Sequence, residues 1–382
     1  MSREMGTNKT DVFIIADNIC SPLGRTTQQN FEQIKNGISG VQKHDRPDLS
    51  DVPIAASLFK NNEFFVPGTH SYTKFEQLLI ASITNALSHT DIKADDPKTG
   101  LIISSTKGNI SLLETEENNS ALQKRIGLNT SAQLIAGHFG FINQPIIISN
   151  ACISGVMAIV TGMRLIQSGQ YDQIVITGAD VISKFVLSGF QSFQALSTER
   201  CKPFDKNRKG LNLGEGAATV ILSGDEKYQG NIRVTGGGIT NDANHISGPS
   251  RTGQELGDAI IKAMNNAGVK AEDIGLISAH GTATPYNDEM EAKAIMLAGL
   301  QKAPVSGLKG FYGHTLGAAG LIETILAKQS MEQNTLLPTL GFQETGTAPL
   351  NIINAVSNAA IKHCVKTASG FGGCNGALVL SK

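Results

Sequence analysis

The chain has 382 residues, a formal net charge of −1, 40% hydrophobic residues, 41 glycines and no tryptophan. This length suits two or three domains or one large duplicated fold, and so balanced a charge argues against nucleic acid as the main partner. There is no apolar run of membrane-spanning length, no signal-peptide core in the polar start Met1–Thr10, and no CxxC pair among the five scattered cysteines, so a cytoplasmic protein without membrane partner, disulfide framework or zinc knuckle is expected.

In chain order, Val12–Ala16 reads as the first strand, followed by a helix at Phe75–Ser88 and a strand at Leu101–Ser104. The β-branched run Ile146–Ser149 reads as a buried strand and Ile153–Gln167 as a helix, which puts Cys152 on the tight turn between them. There the positive end of the helix dipole favours a thiolate over a thiol, and a nucleophilic cysteine needs an exposed, rigid, electropositive place of this kind. Strands at Gln173–Thr177, Ala218–Leu222 and Ile232–Gly236 come next, then a helix at Gly253–Ala267 and a strand at Gly275–Ser278. Helices at Asp288–Ala298 and Leu316–Gln329 precede the last strand, Ala377–Leu380. Alternation of this kind predicts a layered α/β architecture.

An internal echo runs through the chain. Gly100-Leu-Ile-Ile-Ser-Ser-Thr-Lys-Gly108 resembles Gly275-Leu-Ile-Ser-Ala-His-Gly-Thr-Ala283, and the strand–turn–helix around Cys152 has a counterpart from Pro304 to Lys328. The second copy carries His314 near the turn where the first carries Cys152. The echo predicts two similar halves, 1–225 and 230–382, packed face to face and joined through the polar segment Ser223–Asn231.

Besides the cysteine turn, three segments stand out. In Ser278-Ala-His-Gly-Thr-Ala-Thr-Pro-Tyr-Asn-Asp-Glu-Met-Glu291, His280 follows a strand and acids open a helix. In Gly307-Leu-Lys-Gly-Phe-Tyr-Gly-His-Thr-Leu-Gly-Ala-Ala-Gly320, Lys309 and His314 precede a small-residue helix. Ser369-Gly-Phe-Gly-Gly-Cys-Asn-Gly376 is a glycine-rich turn before the last strand.

One cysteine and two histidines at strand ends suit thioester chemistry with carbanion formation. The thiolate takes an acyl group from a thioester. Two neutral imidazoles donating Nε2–H bonds stabilise the enolate left when a malonyl thioester loses carbon dioxide, and that carbanion attacks the acyl-enzyme. Backbone N–H groups at Cys152 and near Phe371 make the oxyanion hole, where removing one donor costs about a hundredfold or more in rate. A zinc site has no acid or second thiol spaced to complete a tetrahedron, and no GxGxxG opens a helix after the first strand. Cys20, Cys201 and Cys364 read as buried hydrophobes; His70, His89, His138, His245 and His363 have no motif support. The segment Glu199–Lys209 holds five basic and two acidic side chains; it reads either as a solvated loop or, with Lys124 and Arg125, as a landing patch for an acidic carrier protein.

These four segments, extended by Ala195–Arg208 and Leu213–Ala218, resemble the β-ketoacyl-acyl-carrier-protein synthases, in particular the elongating condensing enzymes of types I and II, over about Asp11 to Leu380. The resemblance implies the thiolase fold, two pseudo-symmetric halves forming a five-layer α-β-α-β-α sandwich. It implies Cys152 as acyl nucleophile, His280 and His314 as the decarboxylation pair, Lys309 as the lysine that orients and charges the site, and Glu291 as an acid of the structural network. Phe371 matches the gatekeeping aromatic whose N–H completes the oxyanion hole, and Thr282 and Thr284 match the threonines that bind the pantetheine arm. No metal or organic cofactor is implied, because 4'-phosphopantetheine arrives on the acyl carrier protein. A homodimer is expected; the alternative is a heterodimer with a chain-length-factor-like subunit. The competing reading of the chain itself, as such a non-catalytic partner, conflicts with the presence of Cys152. Ser369 stands where many members have phenylalanine and Cys374 where threonine is usual, and the stretch from Thr106 to Phe141 is compact. These departures point to a specialised polyene or polyketide pathway beside bulk fatty-acid elongation.

Overall fold

The apolar runs pair into a mixed sheet whose order mirrors itself about its centre. In the computed structural model, which describes residues 10–60, 71–243 and 247–382, the strands are β1 (Phe13–Cys20), β2 (Thr99–Ser104), β3 (Ile146–Ile148), β4 (Gln173–Asp180), β5 (Gly216–Ser223), β6 (Arg233–Asn241), β7 (Ile274–Ala279), β8 (Pro304–Gly307), β9 (Asn351–Ile352), β10 (His363–Gly370) and β11 (Cys374–Ser381). Their order is β9-β8-β7-β10-β11-β6-β1-β5-β4-β2-β3. Apart from the short β9, each strand of one half has an equivalent in the other, and the pairings agree. β2 is parallel to β3 and β4, as β7 is to β8 and β10. The β4–β5–β1 and β10–β11–β6 runs are antiparallel. The halves meet where Phe13 faces Arg233, with the Ile14 N–H donating to Ile232 O at 2.8 Å and the Val234 N–H to Val12 O at 2.9 Å.

Helices α1 (Lys74–Leu87) and α2 (Leu128–Phe139) lie on the first half; α4 (Lys184–Ser192) packs beside the loop after β2; α5 (Gln254–Ala267) and α6 (Pro285–Leu297) lie on the second half. Between the halves run α3 (Ser154–Gln167) and α7 (Ala319–Gln333). Together these make the five-layer thiolase-like sandwich. The central pair is buried on nearly every side, as a layer covered on both faces must be: nine residues of α3 and twelve of α7 are buried. Ile153, Val156, Leu321, Ile322 and Ile325 belong to one continuous core.

The predicted strands and helices are present, with ends shifted by a few residues. β10 is an addition that a sequence pattern does not announce, because Lys366 sits in its buried middle. The helix expected at Leu316–Gln329 begins as a single 3-10 turn, Leu316–Ala318, before α7 proper. His70 and His245 lie outside the described residues. Among the described residues, no helix is long and apolar enough to cross a membrane.

Candidate active site

Two glycines bring the site together. A Cβ on Gly155 of α3 would lie 2.7 Å from the Leu321 nitrogen, and one on Gly320 of α7 would lie 2.6 Å from the Val156 nitrogen. The helices therefore touch backbone to backbone at their first turns, and the loops entering them, carrying Cys152 and His314, converge. Both loops turn through left-handed non-glycine residues, Ala151 (φ 44°) and Leu316 (φ 50°), and Ala283 after His280 does the same (φ 61°). Each such residue costs about 1–3 kcal/mol and persists only where its surroundings hold it. At the cysteine turn, Ser154 Oγ donates to Ala151 O at 2.6 Å and accepts the Asn150 N–H at 2.8 Å.

The structure places Cys152, His280 and His314 in one buried cluster, the sulfur and one nitrogen of each ring all within 4.8 Å of one another. The rings stand edge to face, with centroids 5.2 Å apart and planes at 82°. Their tautomers follow from their neighbours. His314 Nδ1 accepts the Leu316 N–H at 3.3 Å, so the ring hydrogen sits on Nε2, which has no partner within the protein among the described residues. His280 Nδ1 lies 3.3 Å from Lys309 Nζ, and an ammonium can only donate, so His280 also carries its hydrogen on Nε2. Burial first, and then the Lys309 charge, hold both imidazoles well below their ordinary pKa. Two neutral imidazoles, each a donor through Nε2, thus share the cluster with the sulfur. The three side chains offer no fourth donor for a closed tetrahedral metal site.

Behind His280 lies a charged network. Lys309, fully buried, donates to the His280 carbonyl at 2.6 Å and to Glu323 Oε1 at 2.7 Å. Glu323 Oε2 meets Lys366 Nζ at 2.8 Å. Glu291 accepts the His280 N–H at 2.7 Å, the Gly281 N–H at 2.8 Å and the Thr367 hydroxyl at 2.6 Å. Glu291 is therefore a buried clamp on the histidine's backbone and not the partner of Lys293, which instead pairs with Glu289 at 3.4 Å. Lys309 and Glu291 act through His280 and are positioning residues. Glu323 and Lys366 were not foreseen: one is an acid in an apolar helix, the other a lysine in a strand, and neither stands in the motifs.

A cavity of about 500 Å³ opens over the cluster and is lined by Cys152, both histidines, Thr282, Thr284 and Phe371 among others. The two threonine hydroxyls lie 2.9 Å apart. Asp288 accepts the Ala283 N–H at 3.1 Å and the Phe204 N–H at 2.7 Å, and burial pushes its carboxyl up to about 6. At the mouth, the Phe371 ring packs 5.8 Å from Phe190 and 5.1 Å from Phe193, and Phe371 is 38% exposed. The Phe371 backbone pulls the Cys152 thiol down slightly, against the larger upward push of burial. Ser369 Oγ donates to Asn375 at 2.8 Å, and Cys374 Sγ lies 3.4 Å from the Phe371 carbonyl.

Cys152 departs from the expected environment. It is 8% exposed, and burial pushes its thiol up to about 12, with Lys309 opposing more weakly. Buried Asp180 adds to this upward push; its own carboxyl, raised to about 6 by burial, accepts from Ser105, Thr106, Lys107 and Gly317. The basic patch is also smaller than its sequence implies. Arg125 pairs through both nitrogens with buried Glu76 at 2.6 Å. Arg208 donates to the Gly346 and Pro285 carbonyls at 2.8 and 3.0 Å. Both hold structure together; Arg200 and Lys209 remain exposed, with Lys209 at the cavity mouth.

Residues 9–227 match the family described as "Beta-ketoacyl synthase, N-terminal domain" and residues 232–343 match "Beta-ketoacyl synthase, C-terminal domain". The chain is 29% identical to the 3-oxoacyl-[acyl-carrier-protein] synthase 2 of Vibrio cholerae, covering 98% of this chain and 100% of that protein. It is 28% identical to the protein of the same name from Staphylococcus aureus, covering 99% of each. Among solved structures, the ishigamide ketosynthase/chain length factor superposes with a TM-score of 0.86 at 25% identity, over 98% of this chain and 99% of that one. The ketosynthase ApeO, solved in complex with its chain length factor ApeC from Xenorhabdus doucetiae, shares the fold with a TM-score of 0.84 at 24% identity, over 97% and 98%.

Proposed function

The chain belongs to the β-ketoacyl synthase family, and on that premise we propose that it condenses an acyl group held on Cys152 with malonyl-acyl-carrier-protein by decarboxylative Claisen chemistry. One observation carries the reading: two neutral imidazoles, each with its hydrogen on Nε2, share a buried cavity with a cysteine sulfur.

In the first step Cys152 attacks the acyl thioester; the new S–C bond replaces the carrier's, and the cysteine proton leaves with the carrier thiol. The Cys152 and Phe371 N–H groups hold the oxyanion. In the second step the malonyl thioester loses carbon dioxide, and the electron pair passes into an enolate whose oxygen accepts from His280 and His314. The strength of such donors lies in their being fixed before charge develops, in a site closed to water. In the third step the enolate carbon attacks the acyl carbonyl, the S–C bond breaks with its electron pair returning to the Cys152 sulfur, which regains a proton from solvent, and a 3-ketoacyl carrier protein departs.

The donor set supports a reaction with no metal or organic cofactor, since the histidines supply the electrophilic assistance themselves. Thr282 and Thr284 line the approach to Cys152 and suit hydrogen bonds to a pantetheine arm. A dimer is supported by β3, which ends the sheet with three half-buried isoleucines and an edge unpaired among the described residues, because such an edge requires cover. The second copy makes a homodimer; a chain-length-factor-like subunit there would make this chain the catalytic member of a heterodimer. Five unpaired cysteines fit a reducing compartment such as the cytoplasm. The small Ser369 at the cavity supports a specialised polyene or polyketide role beside fatty-acid elongation.

Purified protein given acyl and malonyl carrier proteins should release carbon dioxide and yield a 3-ketoacyl carrier protein. Comparing saturated with unsaturated acyl donors separates the two pathways. Absence of product from every donor would overturn the proposal.

A further inference from the structure

Lys366 is a buried cation to which the condensation steps assign no task. Its side chain is 0% exposed, in the middle of β10. Its Nζ meets oxygens: Glu323 Oε2 at 2.8 Å, the Ser278 carbonyl at 3.2 Å and the carbonyl of Thr367. One carboxylate and two carbonyls form the kind of shell that hard metal cations take. Glu323 divides its two oxygens between Lys366 and Lys309, and Lys309 rests against His280 Nδ1. Lys366 is thus linked to the imidazole through two side chains, Glu323 and Lys309.

We infer that Lys366 is a built-in cation, a positioning residue whose ammonium fills an oxygen-lined cation pocket and holds Glu323 aimed at Lys309, which in turn fixes His280. The charged groups around this ammonium are Glu323, Lys309 and Glu291, with His280 and His314 beyond them. With both imidazoles neutral, two lysines balance two glutamates. Removing Lys366 leaves one carboxylate in excess where water is excluded, and the pocket must then recruit a cation or a proton. Uptake of a proton would disturb the imidazoles; uptake of a small cation would restore the arrangement.

The activity arm of the test rests on the condensation reading; a stability arm does not. Full-length Lys366→Met and Lys366→Gln are compared with the parent in choline chloride, then in potassium or ammonium chloride at equal ionic strength. In choline the variants should lose about tenfold to a hundredfold in kcat, as when a partner that orients a functional group is lost. KM for malonyl carrier protein should stay close to the parent's. Potassium or ammonium should recover the rate and raise the variants' melting temperature, and should change neither quantity in the parent. Variants as active as the parent in choline would overturn the inference. So would a loss of activity or of folding in both variants that no cation relieves. If the parent itself makes no product while the variants still show cation-specific stabilisation, the condensation reading falls and the cation pocket stands.

Discussion

The Lys309 ammonium lies 3.3 Å from His280 Nδ1 and 2.6 Å from the same residue's carbonyl oxygen. It therefore fixes both the ring and the backbone of His280, and it forces the ring hydrogen onto Nε2. His314 reaches the same tautomer by another device, a backbone N–H from Leu316 at the strained turn. A lysine and a strained loop thus produce matching donors on either side of one cavity.

Lys309→Met removes the donor to His280 Nδ1 and the nearest positive charge. Condensation should fall by about a hundredfold, the usual size of a lost acid–base or orienting contribution. The sign of the pH effect follows from the charge. Lys309 holds both imidazoles low, so its loss raises their pKa, and the acid limb of the kcat profile should move to higher pH. In the parent that limb should lie well below pH 6.5. An unchanged profile in the variant would contradict this electrostatic role.

Cys152 should react with iodoacetamide as a buried thiol. Burial pushes it up to about 12, so the thiolate fraction, and with it the alkylation rate, should climb about tenfold per pH unit. The climb should continue through pH 9. A plateau by pH 7 would show that the helix start and Lys309 outweigh burial.

Gly370→Ala places a Cβ 2.9 Å from the Cys152 nitrogen and 2.9 Å from Cys374 Sγ. The nearest obstacle at the cysteine is backbone, so the loop carrying Phe371 must move away from the oxyanion hole. Acylation should slow by about a hundredfold, with circular dichroism unchanged. Acylation at the parent's rate would remove Phe371 from the oxyanion hole.

Asp180 gives a stability prediction of opposite sign to that of an ion-paired acid. Its folded-state pKa is raised from 3.8 to about 6, so its favourable contribution is complete below pH 3.8 and is lost as pH rises through 6. Relative to Asp180→Asn, the parent should lose up to about 3 kcal/mol between pH 4 and 6. Urea titrations of both proteins across that range measure the difference. A constant difference would place the carboxylate's pKa back in the ordinary range.

Much of the site was legible because its members stand in short motifs whose spacing survives inspection of a single chain. Cys152 between a β-branched run and a helix, and His280 and His314 ahead of helices, needed no tertiary information to be noticed. What supports them was hidden. Glu323 lies in a helix buried almost all round, where no polar stripe singles it out. Lys366 breaks the alternation that would have revealed β10. α4 was missed because Gly189, Val186 and the exposed Phe185 suit neither a helix nor a strand pattern. Arg125 and Arg208 looked free because their partners, Glu76 and the loop carbonyls near 285 and 346, are distant in sequence. The burial of Cys152 likewise depends on loops far from it in the chain.

Intact-protein mass spectrometry of the acylated enzyme tests the central claim most directly. Incubated with an acyl carrier protein substrate, the parent should gain one acyl mass on the peptide bearing Cys152 and lose it when malonyl carrier protein is added. His280→Ala and His314→Ala should take up the same mass and retain it, while Cys152→Ala should take up none. Acyl loading on the Cys152→Ala protein, or discharge by both histidine variants at the parent's rate, would contradict the claim.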